Sequence, residues 1–217
     1  MKRRWSLLIL LCLLLTGCSA EASGGQLISA AEGSGAYSEA LLPFLPGYAL
    51  RDGEDTLYAE VSRGNAVACF DVQAIPAMDR GVGRYWYPHV SATVVLAVDR
   101  TRTDAVITGW NSLRESRVPV GMSSTSIVRN MLVLGALSYG LNPKEPSKRE
   151  ALDFLEHLCQ NGGFELEGSD APILLCLDYE AAAWNRNGGD YEIIVPGEGT
   201  LSYRMGLFSD VPLALEP

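Results

Sequence analysis

The sequence predicts an α/β fold with largely parallel sheets. Three observations carry this. Strand-like and helix-like segments alternate along the whole chain. Helix-start residues follow several of the strand-like runs. One run, APILLCL at 171–177, is apolar without alternation, the pattern of a strand buried on both faces.

The elements follow in order. Gln26–Ala31 (QLISAA) is a short apolar run and reads as a strand. The Gly/Ser turn EGSGAYS and the amphipathic SEALLPFL come next, with Pro43 and Pro46-Gly47 closing that helix early. GEDTLYAEVSRG reads as helix and NAVACFDV (65–72) as strand. Tyr85–Val98 (YWYPHVSATVVLAV) is rich in aromatic and β-branched residues, which predicts one long strand or two consecutive ones. After the short apolar VPVGM (118–122), SSTS (123–126) stands directly before Ile127–Leu141, a strong helix start because hydroxyl side chains accept from first-turn N–H groups. That helix is apolar nearly all round, which predicts burial.

Ser147-Lys148-Arg149-Glu150 is a capping box. It opens an amphipathic helix with Leu152, Phe154, Leu155, Leu158 and Cys159 inward, ended by Gly162-Gly163. Asp178-Tyr179-Glu180 begins a further helix, YEIIV (191–195) is a strand, and PGEGT (196–200) leads into LSYRMGLFS.

The N-terminus carries a processing signal. Lys2, Arg3 and Arg4 form a basic region, Leu7–Leu15 an apolar one, and Leu15-Thr16-Gly17-Cys18 matches the lipobox cut just before a cysteine. The apolar stretch is short of the roughly 20 residues a spanning helix needs. The expected mature protein starts at a lipidated Cys18. It is anchored to the cell membrane on its extracytoplasmic face, with residues 18–25 as a tether.

Removal of residues 1–17 lowers Lys+Arg from 17 to 14 against 26 Asp+Glu, a net charge near −12. That argues against nucleic-acid binding, which rests on phosphate neutralisation. It also argues against adhesion to anionic lipid. Cys69, Cys159 and Cys176 sit in apolar contexts, which predicts buried reduced thiols. In an oxidising compartment a Cys159–Cys176 disulfide is the alternative.

Enzyme readings fare poorly. G-x-S-x-G, H-E-x-x-H and P-loop motifs are missing, and no Cys/His cluster suggests a metal or other cofactor. His89, in an aromatic strand, and His157, in LEHLCQ, read as structural residues. Three polar loops at helix N-termini remain, around Glu32–Ser38, Ser123–Ser126 and Asp178–Glu180. In open α/β sheets such loops lie where ligands bind.

The motif order resembles the bacterial extracellular solute-binding proteins of the type 2 periplasmic-binding fold. The matching pieces are the lipobox, LISAAEGSGAYSEAL, the segment Tyr85–Val98, ITGWNSL at 107–113, VPVGMSSTS, and YEIIVPGEGT. The resemblance spans about residues 26–210 and implies two α/β lobes with a ligand cleft between them. Lobe 1 would be 26–82 plus 196–217 and lobe 2 would be 83–195, with crossings near 71–95 and 194–201. It implies ligand contacts from Glu32, Ser34, Tyr37 and Ser38 on lobe 1 and from Ser123, Ser124 and Thr125 on lobe 2. Asp178, Tyr179 and Glu198 would lie near the hinge. It also implies hinge closure on a small polar solute and docking to an ABC permease. Members of this family usually continue past the second crossing, so the resemblance implies that lobe 1 is short here. A ligand-sensing or docking lipoprotein is the second reading and a surface hydrolase the third.

Overall fold

The computed structural model describes residues 25–29, 35–52, 56–122, 126–165 and 170–215. The leader, Cys18, Glu32, Ser34, Ser123, Ser124 and Thr125 lie outside the described residues. The strands are β1 (Gln26–Ser29), β2 (Ala49–Asp52), β3 (Ala66–Phe70), β4 (Tyr85–Asp99), β5 (Val120–Met122), β6 (Phe164–Glu165), β7 (Ile173–Leu177), β8 (Tyr191–Ile194) and β9 (Ser202–Ser209). The helices are α1 (Gly35–Leu41), α2 (Leu57–Ser62), α3 (Asp71–Asp79), α4 (Trp110–Glu115), α5 (Ile127–Leu141), α6 (Lys148–Asn161) and α7 (Asp178–Arg186).

The strands form one path, β2-β1-β3-β9-β4-β7-β5-β6, with β8 also on β4. β4 belongs to two halves. From Tyr85 to Thr93 it pairs with β9. From Val94 to Val98 it pairs with β7, and from Leu96 to Asp99 its other edge holds β8. Parallel pairing is confined to β1 with β2 and β3, and β5 with β6 and β7. β9 runs antiparallel to β3 and β4, and β4 runs antiparallel to β7 and β8. The sheets are therefore mixed, not largely parallel. The strands that cross between the halves run against their neighbours.

Period-2 alternation fills both faces of each half. On β3, Val67 and Cys69 pack with Leu57, Val61, Ala74 and Ala77 under α2 and α3, while Ala66 and Ala68 face Leu27, Leu45 and Leu207. On β4, Val94, Leu96 and Val98 join the core beneath α5 and α6, while Val95 and Ala97 meet Leu174, Cys176 and Ala181 of the α7 side. Burial on both faces explains why ILLCL and TVVLAV read as unbroken apolar runs.

The sequence missed α3 and β2. α3 contains Pro76 and leaves Val72, Ile75 and Met78 partly exposed, so its apolar pattern does not mark an inward face. Its start is marked by Gln73, whose side chain accepts from Phe70 N at 3.1 Å. β2 is four residues ending in Arg51-Asp52. It is tied down by Arg51, paired at 3.1 Å with Glu60, a buried carboxylate that also takes Arg63 and Asn65.

On α6 the Ser147 half of the expected capping box forms, its Oγ accepting from Glu150 N. The inward face is Ala151, Phe154, Leu155 and Leu158. Leu152 and Cys159 point outward, because each lies one residue, about 100° of helix, past that stripe. All three described cysteines are free thiols.

Burial pushes the Cys176 thiol up from 9.0 to about 12. In the unfolded chain it ionises near the ordinary value, so its contribution to stability is intact below about pH 9 and is lost as pH rises toward 12. Alkylation of the native protein at pH 8 should label Cys159 and spare Cys69 and Cys176. Cys176→Ala should shrink the loss of melting temperature across pH 9–12.

Candidate functional site

A cavity of about 600 Å³ opens where β4 passes from one half to the other. Tyr37 of α1 lines it from the first half, and Val90 and Ser91 of β4 with Met205 of β9 line the crossing. Asp178, Tyr179, Ala182 and Arg186 of α7, with Ile193 of β8, line it from the second half.

Backbone geometry sets this crossing. β4 and β9 slip register between Pro88 and Val90, placing a bulge at His89. Gly206 lies opposite Pro88, where an added Cβ would overlap the Tyr87 carbonyl. The bulge leaves Val90 and Ser91 exposed at the cavity. His89 sits beside the Tyr37 ring, with centroids 6.5 Å apart, and partial burial lowers its pKa.

Tyr37 Oη donates to Met205 O at 3.5 Å, which joins α1 to the return strand. Burial, reinforced by nearby Cys69, holds the Tyr37 hydroxyl far above its ordinary pKa. Burial also raises Tyr179, with Arg129 opposing and Asp178 and Cys176 adding. The buried Tyr179 hydroxyl has no hydrogen-bond partner among the described residues. Both phenols are therefore neutral and able to donate or accept.

α7 is anchored from behind. Glu180 accepts from Leu177 N at 2.8 Å and forms a buried ion pair with Arg129 of α5. This pair fixes the first turn of α7, and with it Asp178 and Tyr179, against the N-terminal turn of α5.

Of the expected contacts, Tyr37, Asp178 and Tyr179 come together in this cavity. Ser38 is fully buried, and its hydroxyl has no hydrogen-bond partner among the described residues. Glu198 is occupied elsewhere, its carboxylate accepting from Trp110 N at 3.1 Å and Asn111 N at 2.8 Å at the start of α4. Trp110 Nε1 in turn donates to Gly199 O at 2.8 Å, and Gly140 leaves room for the indole.

Sequence reasoning missed Val90, Ser91, Ala182, Arg186, Ile193 and Met205. The four-residue spacing of Asp178, Ala182 and Arg186 on one helix was the legible signal for two of them. His157 lies in a separate polar hollow with Arg114 and Arg117, hydrogen-bonded to Asn161. Among the described residues no cluster of His, Cys, Asp and Glu is placed to hold a metal, and no helix is long and apolar enough to cross a membrane.

Two α/β halves, a shared crossing strand and a cavity between them define the two-lobed fold of periplasmic solute-binding proteins. The chain is similar to the sulfate-binding protein SubI from Mycobacterium tuberculosis, at 16% identity and a TM-score of 0.64 over 85% of this chain and 74% of that one. It is similar to the periplasmic binding protein AfuA from Actinobacillus pleuropneumoniae, solved with fructose-6-phosphate, at 13% identity and a TM-score of 0.64 over 85% and 72%. A spermidine/putrescine ABC-transporter substrate-binding protein from Streptococcus pneumoniae matches at 13% identity and a TM-score of 0.59 over 88% and 74%. No family model matches the sequence, and no curated protein does.

Loss of the Glu198 cap should cost about 1 kcal/mol of stability. Glu198→Ala should therefore melt earlier in calorimetry. Trp110→Ala, which empties a fully buried indole site, should cost about 3–5 kcal/mol.

Proposed function

We propose that this protein is a membrane-tethered solute-binding lipoprotein that captures a small polar ligand between its lobes for an ABC permease. The observation that carries this reading is the cavity at the crossing strand, lined from both lobes and from the strands between them. A solute held there touches both lobes at once, so its binding energy favours the closed arrangement. The lining suits a ligand with apolar and polar parts: Val90, Ile193 and Met205 supply apolar surface, and Tyr37, Tyr179, Asp178 and Arg186 supply orienting groups. The three similar structures are binding proteins by their own descriptions, one of them of an ABC transporter, which supports binding over chemistry. The lipobox ending at Cys18 supports the tether.

The full chain, screened against amino acids, amines, organic anions and sugars, should show a saturable rise in melting temperature with one class. A flat response to every class sinks the reading. Membrane attachment has its own test. Cys18→Ser should abolish incorporation of labelled palmitate and move the protein out of the membrane fraction; continued membrane retention without label would remove the lipid anchor from the reading.

A further inference from the structure

We propose that the inter-lobe cavity selects an elongated zwitterion, with a cationic group at Asp178, an anionic group at Arg186 and an apolar linker between them. This deepens the solute-binding reading and rests on it. α7 presents Asp178, Ala182 and Arg186 to the cavity. Four-residue spacing puts the three on successive turns of one face, with the outer two about 12 Å apart along the axis. The ground between the charges is apolar, formed by Ala182, Val90, Ile193 and Met205.

Both charges are uncommitted. Among the described residues neither Asp178 nor Arg186 takes part in an ion pair. Asp178 Oδ1 accepts only from the N–H of the next residue, Tyr179, at 2.8 Å. Glu180 of the same helix shows the contrast, since it is buried and paired with Arg129. α7 therefore carries one structural ion pair on its packed side and two open charges of opposite sign on its cavity side. A plain anion at the N-terminal end of α7 would meet Asp178 as well as the helix dipole. A diamine lying along the helix would set its second cation against Arg186. Only a ligand with one charge of each sign satisfies both ends. The unpartnered Tyr179 hydroxyl, beside Asp178, adds a hydrogen-bonding group at the cationic end.

Three probe series of four to eight carbons separate the cases by calorimetric titration of the full chain in mild detergent: ω-amino acids, α,ω-diamines and α,ω-dicarboxylates. An ω-amino acid such as 6-aminohexanoate should bind at least tenfold more tightly than the diamine or dicarboxylate of equal length. Glycine, whose two charges sit on adjacent groups, should bind more weakly than 6-aminohexanoate. Asp178→Asn and Arg186→Gln should each weaken 6-aminohexanoate at least tenfold while leaving the ligand-free melting temperature in place. Asp178→Asn should also narrow the gap to the dicarboxylate, and Arg186→Gln the gap to the diamine. A diamine or dicarboxylate as the tightest probe, or a 6-aminohexanoate affinity indifferent to both variants, overturns the proposal. Saturable binding of a sugar with none of the charged probes bound also overturns it and leaves solute binding standing. Silence toward every class removes both.

Discussion

Everything in this structure hangs on β4 serving two lobes with one backbone. Its first nine residues are held by β9 and its last six by β7 and β8, so the pairing must change hands without leaving peptide groups unpaired. The chain manages this at Thr93 and Val94. Thr93 and Ser202 share a hydroxyl hydrogen bond of 2.8 Å, Val94 N donates to Leu201 O, and Thr200 Oγ1 donates to Val94 O at 2.8 Å. The gap between β8 and β9 is thus sealed by its own connecting loop. The cavity lies just beyond this seam.

That connecting loop, 196–201, does a second job. Glu198 caps α4, Gly199 takes the Trp110 indole hydrogen bond, and Gly140 of α5 makes space for the ring. GEGT and the WNSL stretch are distant in sequence but form one unit in space. Their residue types follow from packing: a carboxylate for exposed first-turn N–H groups, a glycine where the chain turns at φ 121°, and a buried indole needing one acceptor. The part of the sequence that looks most like a functional motif is therefore, at Glu198, a structural clamp that positions the second crossing.

Legibility in the sequence followed local signal strength. α5, α6, β7 and α7 stood out because long apolar runs, the hydroxyl cap at Ser147, acidic first turns and glycine stops act within a few residues. β2 and α3 did not, because their places depend on distant partners, Glu60 for β2 and β9 for α3. The mixed strand directions were also hidden, since direction is set by which strands cross between lobes and no local pattern records it. At the site, Tyr37, Asp178 and Tyr179 were legible as polar residues at helix starts. Arg186 was legible only through its spacing from Asp178, since taken singly it is an ordinary cation in the last turn of a helix. Val90 and Met205 become cavity walls only through the bulge at His89 and its glycine partner across the ladder.

The open edges of the sheet have a bearing on how these molecules behave in company. An open, flat strand edge is a template for docking another chain's backbone. Here one end of the path is β2, four residues long with Arg51 exposed, the other is β6, two residues long with Glu165 exposed, and β8, held by β4 alone, leaves a third edge of four residues. Each is short, and β2 and β6 also present charge to an approaching copy. Short borders, two of them charged, give the sheet little to grow by, which favours colloidal independence among neighbouring copies.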